Sequence, residues 1–238
     1  MLNFSRSAKH LLIALILLIV VGVVFAQEVP KNFLIHKDTL SKVIHSSWNE
    51  ITMPSVIPGL IEQETCYSLT HSKCWSPNAK LETKREYGFG LGQLTVTPRF
   101  NTFNEVKELD SRLKSWQWED RFNPELQMIA ILAMLKRNFN VFKLAERDYD
   151  RYAFALASYN GGIGGIQADQ RICRNTPKCN SGLWFGHTEH TSLKQKTKVT
   201  GYGKSFFEIN REYPKNILEI RRYKYKPYID EGFPSVTY

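Results

Sequence analysis

The residue best placed to do chemistry is Glu64, in Ile61-Glu62-Gln63-Glu64-Thr65-Cys66. The stretch joins an apolar approach (Val56, Ile57, Leu60, Ile61) to a polar segment that begins with a cysteine. Positions 57, 60 and 61 fall on one helical face, and Pro58 suits a first helical turn. Glu64 then lies near the helix C-terminus, where the partial negative charge of the aligned peptides disfavours a carboxylate. Partial burial acts in the same direction. A carboxyl raised in this way stays protonated near neutral pH and can donate its proton, the task of a general acid. The competing reading is a solvated glutamate on a helix end.

Three further stretches carry chemistry-bearing residues. In Tyr87-Gly88-Phe89-Gly90-Leu91-Gly92-Gln93-Leu94-Thr95, glycines alternate with bulky residues. Without a Cβ the backbone can come close to another group, so a ligand-lining loop or a short hairpin is expected, against a tight turn packed under the core. In Ala157-Ser158-Tyr159-Asn160-Gly161-Gly162, paired glycines end a helix and leave Tyr159 and Asn160 at its tip. Tyr213 stands in Asn210-Arg211-Glu212-Tyr213, near the end of the chain. Of the aromatics, Trp75, Tyr87, Phe89 and Trp184 have the chemistry to stack on sugars, although core packing is the usual use of such residues.

The elements that must position these residues are mostly helical. Leu40, Val43, Ile44, Trp48 and Ile51 recur at helical spacing behind an Asp38-Thr39 cap, after an extended lead-in over 27–37. Met53-Pro54 ends that helix. Residues 67–86 read as polar loop, and 105–113 as weakly helical. Asn123-Pro124 opens a helix that is apolar on most sides, the signature of a central buried element. Asp148 or Asp150 caps the next helix, over 152–159. Residues 170–203 read as a polar insertion holding His187 and His190, an i, i+3 pair expected on a surface loop. A last helical region runs over 204–228, and Pro214 should kink or split it.

The chain has 238 residues, 42% of them hydrophobic, enough for one sizeable domain. Residues 1–26 read as a cleaved export signal or an uncleaved membrane anchor. Arg6 and Lys9 precede an uncharged run over 11–25, which is short for a membrane span and offers an inner-membrane association if it is retained. Residues 27–53 form a lead-in and helix, and 54–230 the main domain. The formal charge of +9 fits an anionic envelope polymer. No nucleic-acid motif accompanies it, so nucleic acid is not expected as a partner. The four cysteines are Cys66, Cys74, Cys173 and Cys179. An export signal leads to an oxidising compartment, and proximity favours Cys66–Cys74 and Cys173–Cys179 among the three connectivities that four cysteines allow. A metal reading of Cys66, His71 and Cys74 lacks a second ligand pair at zinc spacing. No metal and no cofactor is expected.

Taken in order, Glu64-Thr65, Gly90-Leu91-Gly92-Gln93, Ala157-Ser158-Tyr159-Asn160-Gly161-Gly162 and Tyr213 resemble the motifs of lytic transglycosylases of the soluble-transglycosylase type, a lysozyme-like family. The resemblance covers roughly residues 54–225 and rests on the ordered set rather than on any one motif. It implies a mainly α, lysozyme-like catalytic domain with a small hairpin or loop region. It further implies cleavage of peptidoglycan glycan strands between N-acetylmuramic acid and N-acetylglucosamine, by an exported, periplasmic or envelope-bound monomer. Glu64 matches the catalytic acid/base. Gln93 matches the glutamine that contacts the sugar or the glutamate, Tyr159 and Asn160 the cleft residues, and Tyr213 the late tyrosine. Thr65 stands where the family has serine, Gly92 where it usually has methionine, and the proline-rich lead-in to the late tyrosine is missing. The two cysteine loops are not general family features. Two other functions remain open on the sequence. One is a goose-lysozyme-like muramidase, with Glu82 or Glu86 activating water. The other is a non-catalytic peptidoglycan-binding scaffold.

Overall fold

The computed structural model describes residues 28–83, 86–194, 196–198 and 203–234. The export signal or anchor expected over residues 1–26 lies outside the described residues. Among those described, no helix is long and apolar enough to cross a membrane.

The molecule is mainly helical, with one small antiparallel sheet. Helix α1 (Lys31–Trp48) buries Phe33, Leu40, Val43, Ile44 and Trp48. It starts seven residues before the expected Asp38-Thr39 cap, and the extended lead-in is confined to residues before Lys31. Packing rather than capping sets this start. Phe33 is fully buried against Trp75, Tyr225 and Tyr228, while Asp38 is exposed and pairs with Lys37. After the break at Pro54, α2 (Val56–Thr65) is buried along nearly its whole length and carries Glu64 in its last turn. The sheet follows, in the order β1 (Lys80–Glu82), β2 (Tyr87–Phe89), β3 (Leu94–Val96). Gly88 lies opposite Leu81 on one side and Thr95 on the other. The glycine-rich stretch is therefore a hairpin.

Helix α3 (Thr102–Lys107) and a short 3-10 turn (Ser111–Leu113) lead to α4 (Pro124–Val141). Asn123 Oδ1 caps α4 by accepting from the N–H groups of Glu125 and Leu126. Buried on most sides, α4 packs against both α1 and α5 (Asp148–Gly161). Helix α5 begins earlier than the expected Tyr152, and neither aspartate caps it. Asp150 is buried in the first turn, paired with Arg147 at 2.6 Å and accepting from the N–H of Trp184 at 2.9 Å. Gly162 ends the helix at φ 79°, a conformation open to glycine.

Part of the expected insertion is also helical. Helix α6 (Ile163–Arg174) packs on α5 and buries Ile166 and Cys173. Helix α7 (Phe206–Lys215) opens with a capping box between Ser205 and Glu208 and contains Pro214. Beyond it the chain changes helix type, through a π turn (Asn216–Ile220), a 3-10 turn (Arg221–Lys224) and a final short α8 (Lys226–Ile229). The kink expected at Pro214 is realised as this change. The tail returns to α2 so closely that a Cβ on Gly59 would lie 3.2 Å from the backbone nitrogen of Arg222.

Candidate active site

Helix α2 ends at an open cleft of about 770 Å³, walled by the sheet and by the tip of α5. Glu64, Gln93, Tyr159 and Asn160, four of the residues singled out from sequence, line it. Tyr213, the fifth, reaches Glu64 from α7, and its hydroxyl donates to Glu64 Oε1.

Several bonds fix the last turn of α2. The Cys66 N–H donates to the Glu62 carbonyl at 2.9 Å. The Thr65 hydroxyl donates to the Ile61 carbonyl at 2.7 Å and accepts from the N–H of Trp75 at 3.0 Å. Burial raises the Glu64 carboxyl from 4.5 to about 7, and the hydrogen bond from Tyr213 holds it back from rising further. Tyr213 itself is pushed well above the ordinary tyrosine value, by burial and then by the nearby Glu64 charge. It therefore keeps its proton and remains a donor to the carboxyl.

The hairpin and the tip of α5 meet at Gly92. The Tyr159 hydroxyl donates to the Gly92 carbonyl at 2.9 Å. A Cβ on Gly92 would stand 2.5 Å from Ile131 Cγ1 and 2.6 Å from the Tyr159 hydroxyl oxygen, so only a glycine fits without movement. The close backbone approach expected of the glycine run occurs here. Gln93 occupies the left-handed region at φ 46° and turns its amide back on the hairpin, donating to the Gly90 carbonyl at 2.8 Å. Asn160 is exposed at the cleft edge, and its Oδ1 accepts from Asn210 Nδ2 at 3.0 Å. Asn210 also donates to the Ala157 carbonyl at 2.9 Å, so one side chain pins α7 to the end of α5 a turn ahead of Tyr213.

A buried charge cluster behind Glu64 escaped the sequence reading. Glu62 is only 1% exposed. Its carboxylate accepts from Arg221 Nη1 at 2.5 Å, Lys224 Nζ at 2.9 Å and the Tyr225 hydroxyl at 2.5 Å. Arg221 Nε also donates to Gln63 Oε1 at 2.7 Å. The cluster clamps the Glu64 end of α2 to the C-terminal turns. Apolar periodicity carries no trace of it. The available signal was a second glutamate directly after the apolar run of α2, together with a late basic run.

Core packing, the usual use of such residues, holds for three of the four aromatics considered for sugar stacking. Trp75, Phe89 and Trp184 are fully buried in the core, and Tyr87 is half-buried beside Phe89 and Trp118. Besides Tyr159, the cleft is lined by Tyr67, which is 96% exposed. Of the two candidate water-activating carboxylates, Glu86 lines the cleft, whereas Glu82 is exposed on β1, 3.8 Å from Lys80. Both favoured disulfides, Cys66–Cys74 and Cys173–Cys179, are formed. The metal reading of Cys66, His71 and Cys74 is thereby removed, since the thiolate ligands are used in a disulfide. His187 and His190 lie in the loop after α6, His187 accepting from the Asn180 N–H at 3.1 Å.

The arrangement can deliver one proton to a group bound in the cleft and take one back. No family model matches the chain, and no curated protein matches it.

Proposed function

We propose that this chain is a peptidoglycan lytic transglycosylase with a lysozyme-like catalytic domain and Glu64 as its single acid/base. The observation that carries the reading is a carboxyl raised to about 7, held by the Tyr213 hydroxyl and opening on a cleft. The ordered motifs then gather at that cleft from four separate elements.

The chemistry follows from one titrating carboxyl. Protonated Glu64 gives its proton to the glycosidic oxygen, the C1–O4 bond breaks and the N-acetylglucosamine 4-hydroxyl leaves. The muramyl N-acetyl group stabilises the oxocarbenium-like centre. The Glu64 carboxylate then takes the proton from the muramyl 6-hydroxyl as O6 bonds C1, which closes a 1,6-anhydro ring and restores the acid. Two-carboxylate glycosidases instead use a second group to attack or to activate water. Glu86 on the cleft wall is what favours that second reading, a muramidase. Two disulfides suit an exported protein working in the periplasm or cell envelope.

Mass spectrometry of the products from purified peptidoglycan tests the assignment, with the oxidised protein and its Glu64→Gln variant side by side. Anhydro-muropeptides from the intact protein alone are expected. Products heavier by one water would replace the transglycosylase with the muramidase and direct attention to Glu86. No product from either protein would leave a binding scaffold.

A further inference from the structure

The loop between Cys66 and Cys74 is built as a fixed arm on the cleft. Its first residue follows α2 directly, two positions after Glu64. At its far end Cys74 is buried, its carbonyl accepts from Asn32 Nδ2 at 2.9 Å, and the next residue, Trp75, is fully buried. The disulfide ties the two ends together, with their Cα atoms 4.1 Å apart. Inside the loop, the His71 N–H donates to the Ser68 carbonyl at 3.2 Å, and its Nδ1 accepts from the Lys73 N–H at 3.2 Å. Lys73 Nζ donates to the Lys80 carbonyl at 3.1 Å, which ties the loop to β1.

Besides Cys66, two residues of this arm line the cleft, Tyr67 and Lys73. Tyr67 is 96% exposed, an unusual state for an aromatic with so much apolar face. Leu81, also exposed, adds a second apolar surface to the same cleft. Among the described residues, the charged groups at the cleft are Glu64, Glu86, Lys73 and Lys80. Lys80 sits 3.8 Å from Glu82. Lys73 uses one of its three ammonium protons on the Lys80 carbonyl and keeps two donors for a ligand.

We propose that the Cys66–Cys74 loop is a substrate-recognition arm that binds a carboxylate-bearing glycan, Tyr67 stacking on the apolar face of a sugar ring and Lys73 pairing with the carboxylate. This rests on the transglycosylase reading for the identity of the glycan. In such a polymer the carboxylate belongs either to the lactyl group of a peptide-free muramyl residue or to an attached peptide.

Three ligands separate these cases: peptide-bearing strands, strands stripped of peptide that keep the lactyl carboxylate, and a neutral chitooligosaccharide. Binding is measured with Glu64→Gln as background, and turnover with the otherwise intact protein. Lys73→Ala should raise KM for carboxylate-bearing strands about threefold, the scale of an exposed ion pair. It should move kcat less than KM, leave chitooligosaccharide binding unaffected and flatten the salt dependence. Lys73→Arg should restore KM. Tyr67→Ala should weaken all three ligands, by about fivefold. An effect on stripped strands identifies the lactyl carboxylate, and an effect confined to peptide-bearing strands identifies the peptide. The proposal is overturned if Lys73→Ala leaves carboxylate-bearing strands unaffected, or weakens chitooligosaccharide equally. If the intact protein releases no anhydro product while Lys73→Ala still weakens binding to the anionic strands, the arm stands and the reaction assignment falls.

Discussion

A carboxyl that stays protonated at neutral pH is useful to a reaction and harmful to a fold. Glu64 is raised from 4.5 to about 7, chiefly by burial. Below pH 4.5 it is protonated in both folded and unfolded chains and has no effect on stability. Between 4.5 and 7 the unfolded chain ionises while the folded one does not, so stability falls as pH rises. Above 7 the loss is complete and amounts to at most about 3 kcal/mol. Glu64→Gln should therefore be more stable than the parent at pH 8 and should lose that advantage at pH 4. Paired thermal melts at the two values test this without any substrate. An equal gap at both would mean that Glu64 is not raised. Tyr213 acts on the same group in the opposite direction, because a donor to the carboxylate favours its ionised form. In Tyr213→Phe the Glu64 carboxyl should rise further. The alkaline limb of the activity profile should then move up by about one pH unit, the scale of a hydrogen bond to a charged group. A limb that stays in place would show that the hydroxyl does not bond the carboxylate in solution.

At the scale of elements, the hairpin on α4 and α5 shows what could be read in advance. The alternating glycines announced a close approach, and Gly92 makes one. The partners, Ile131 and Tyr159, lie 39 and 67 positions further on and carry no mark of it in local sequence. Gly92→Ala should push the hairpin off Ile131 and break the Tyr159 bond to the Gly92 carbonyl, with about 1–3 kcal/mol of stability lost to overpacking. Denaturant unfolding measures the loss, and turnover should fall with it because Gln93 and Tyr159 move. Elsewhere local signals gave way to packing. The Asp38-Thr39 cap looked sound, yet buried Phe33 carries α1 back to Lys31. Helix α6 was hidden because Gly164 and Gly165 sit in its first turn, where their low propensity reads as loop. The Glu62 cluster was illegible for a different reason: its members are charged or polar, and apolar periodicity does not register buried polar groups that find one another across the fold.

At the scale of the whole molecule, the site depends on bringing together groups far apart in sequence. Tyr213 and Glu64 are 149 residues apart, and only the packing of α7 on α5 and of the C-terminal turns on α2 makes them neighbours. The order of the motifs could be read from the chain, but this convergence could not. The two disulfides act on that packing in different places. They span separations of 8 and 6 residues. Closing loops this short removes about 2.5 kcal/mol of unfolded-state freedom each in the chain-entropy account. Together that is a large share of a typical 5–15 kcal/mol stability. Full reduction should lower Tm by about 10 °C or more. The two bridges should separate in function. Cys173–Cys179 closes the end of α6, away from the cleft, so replacing both with serine should lower Tm and leave KM as it was. Cys66–Cys74 anchors the arm that carries Tyr67 and Lys73, so the matching double serine variant should lower Tm by a similar amount and also raise KM for carboxylate-bearing glycan. Equal KM values in the two variants would reduce the first bridge to a staple of the fold.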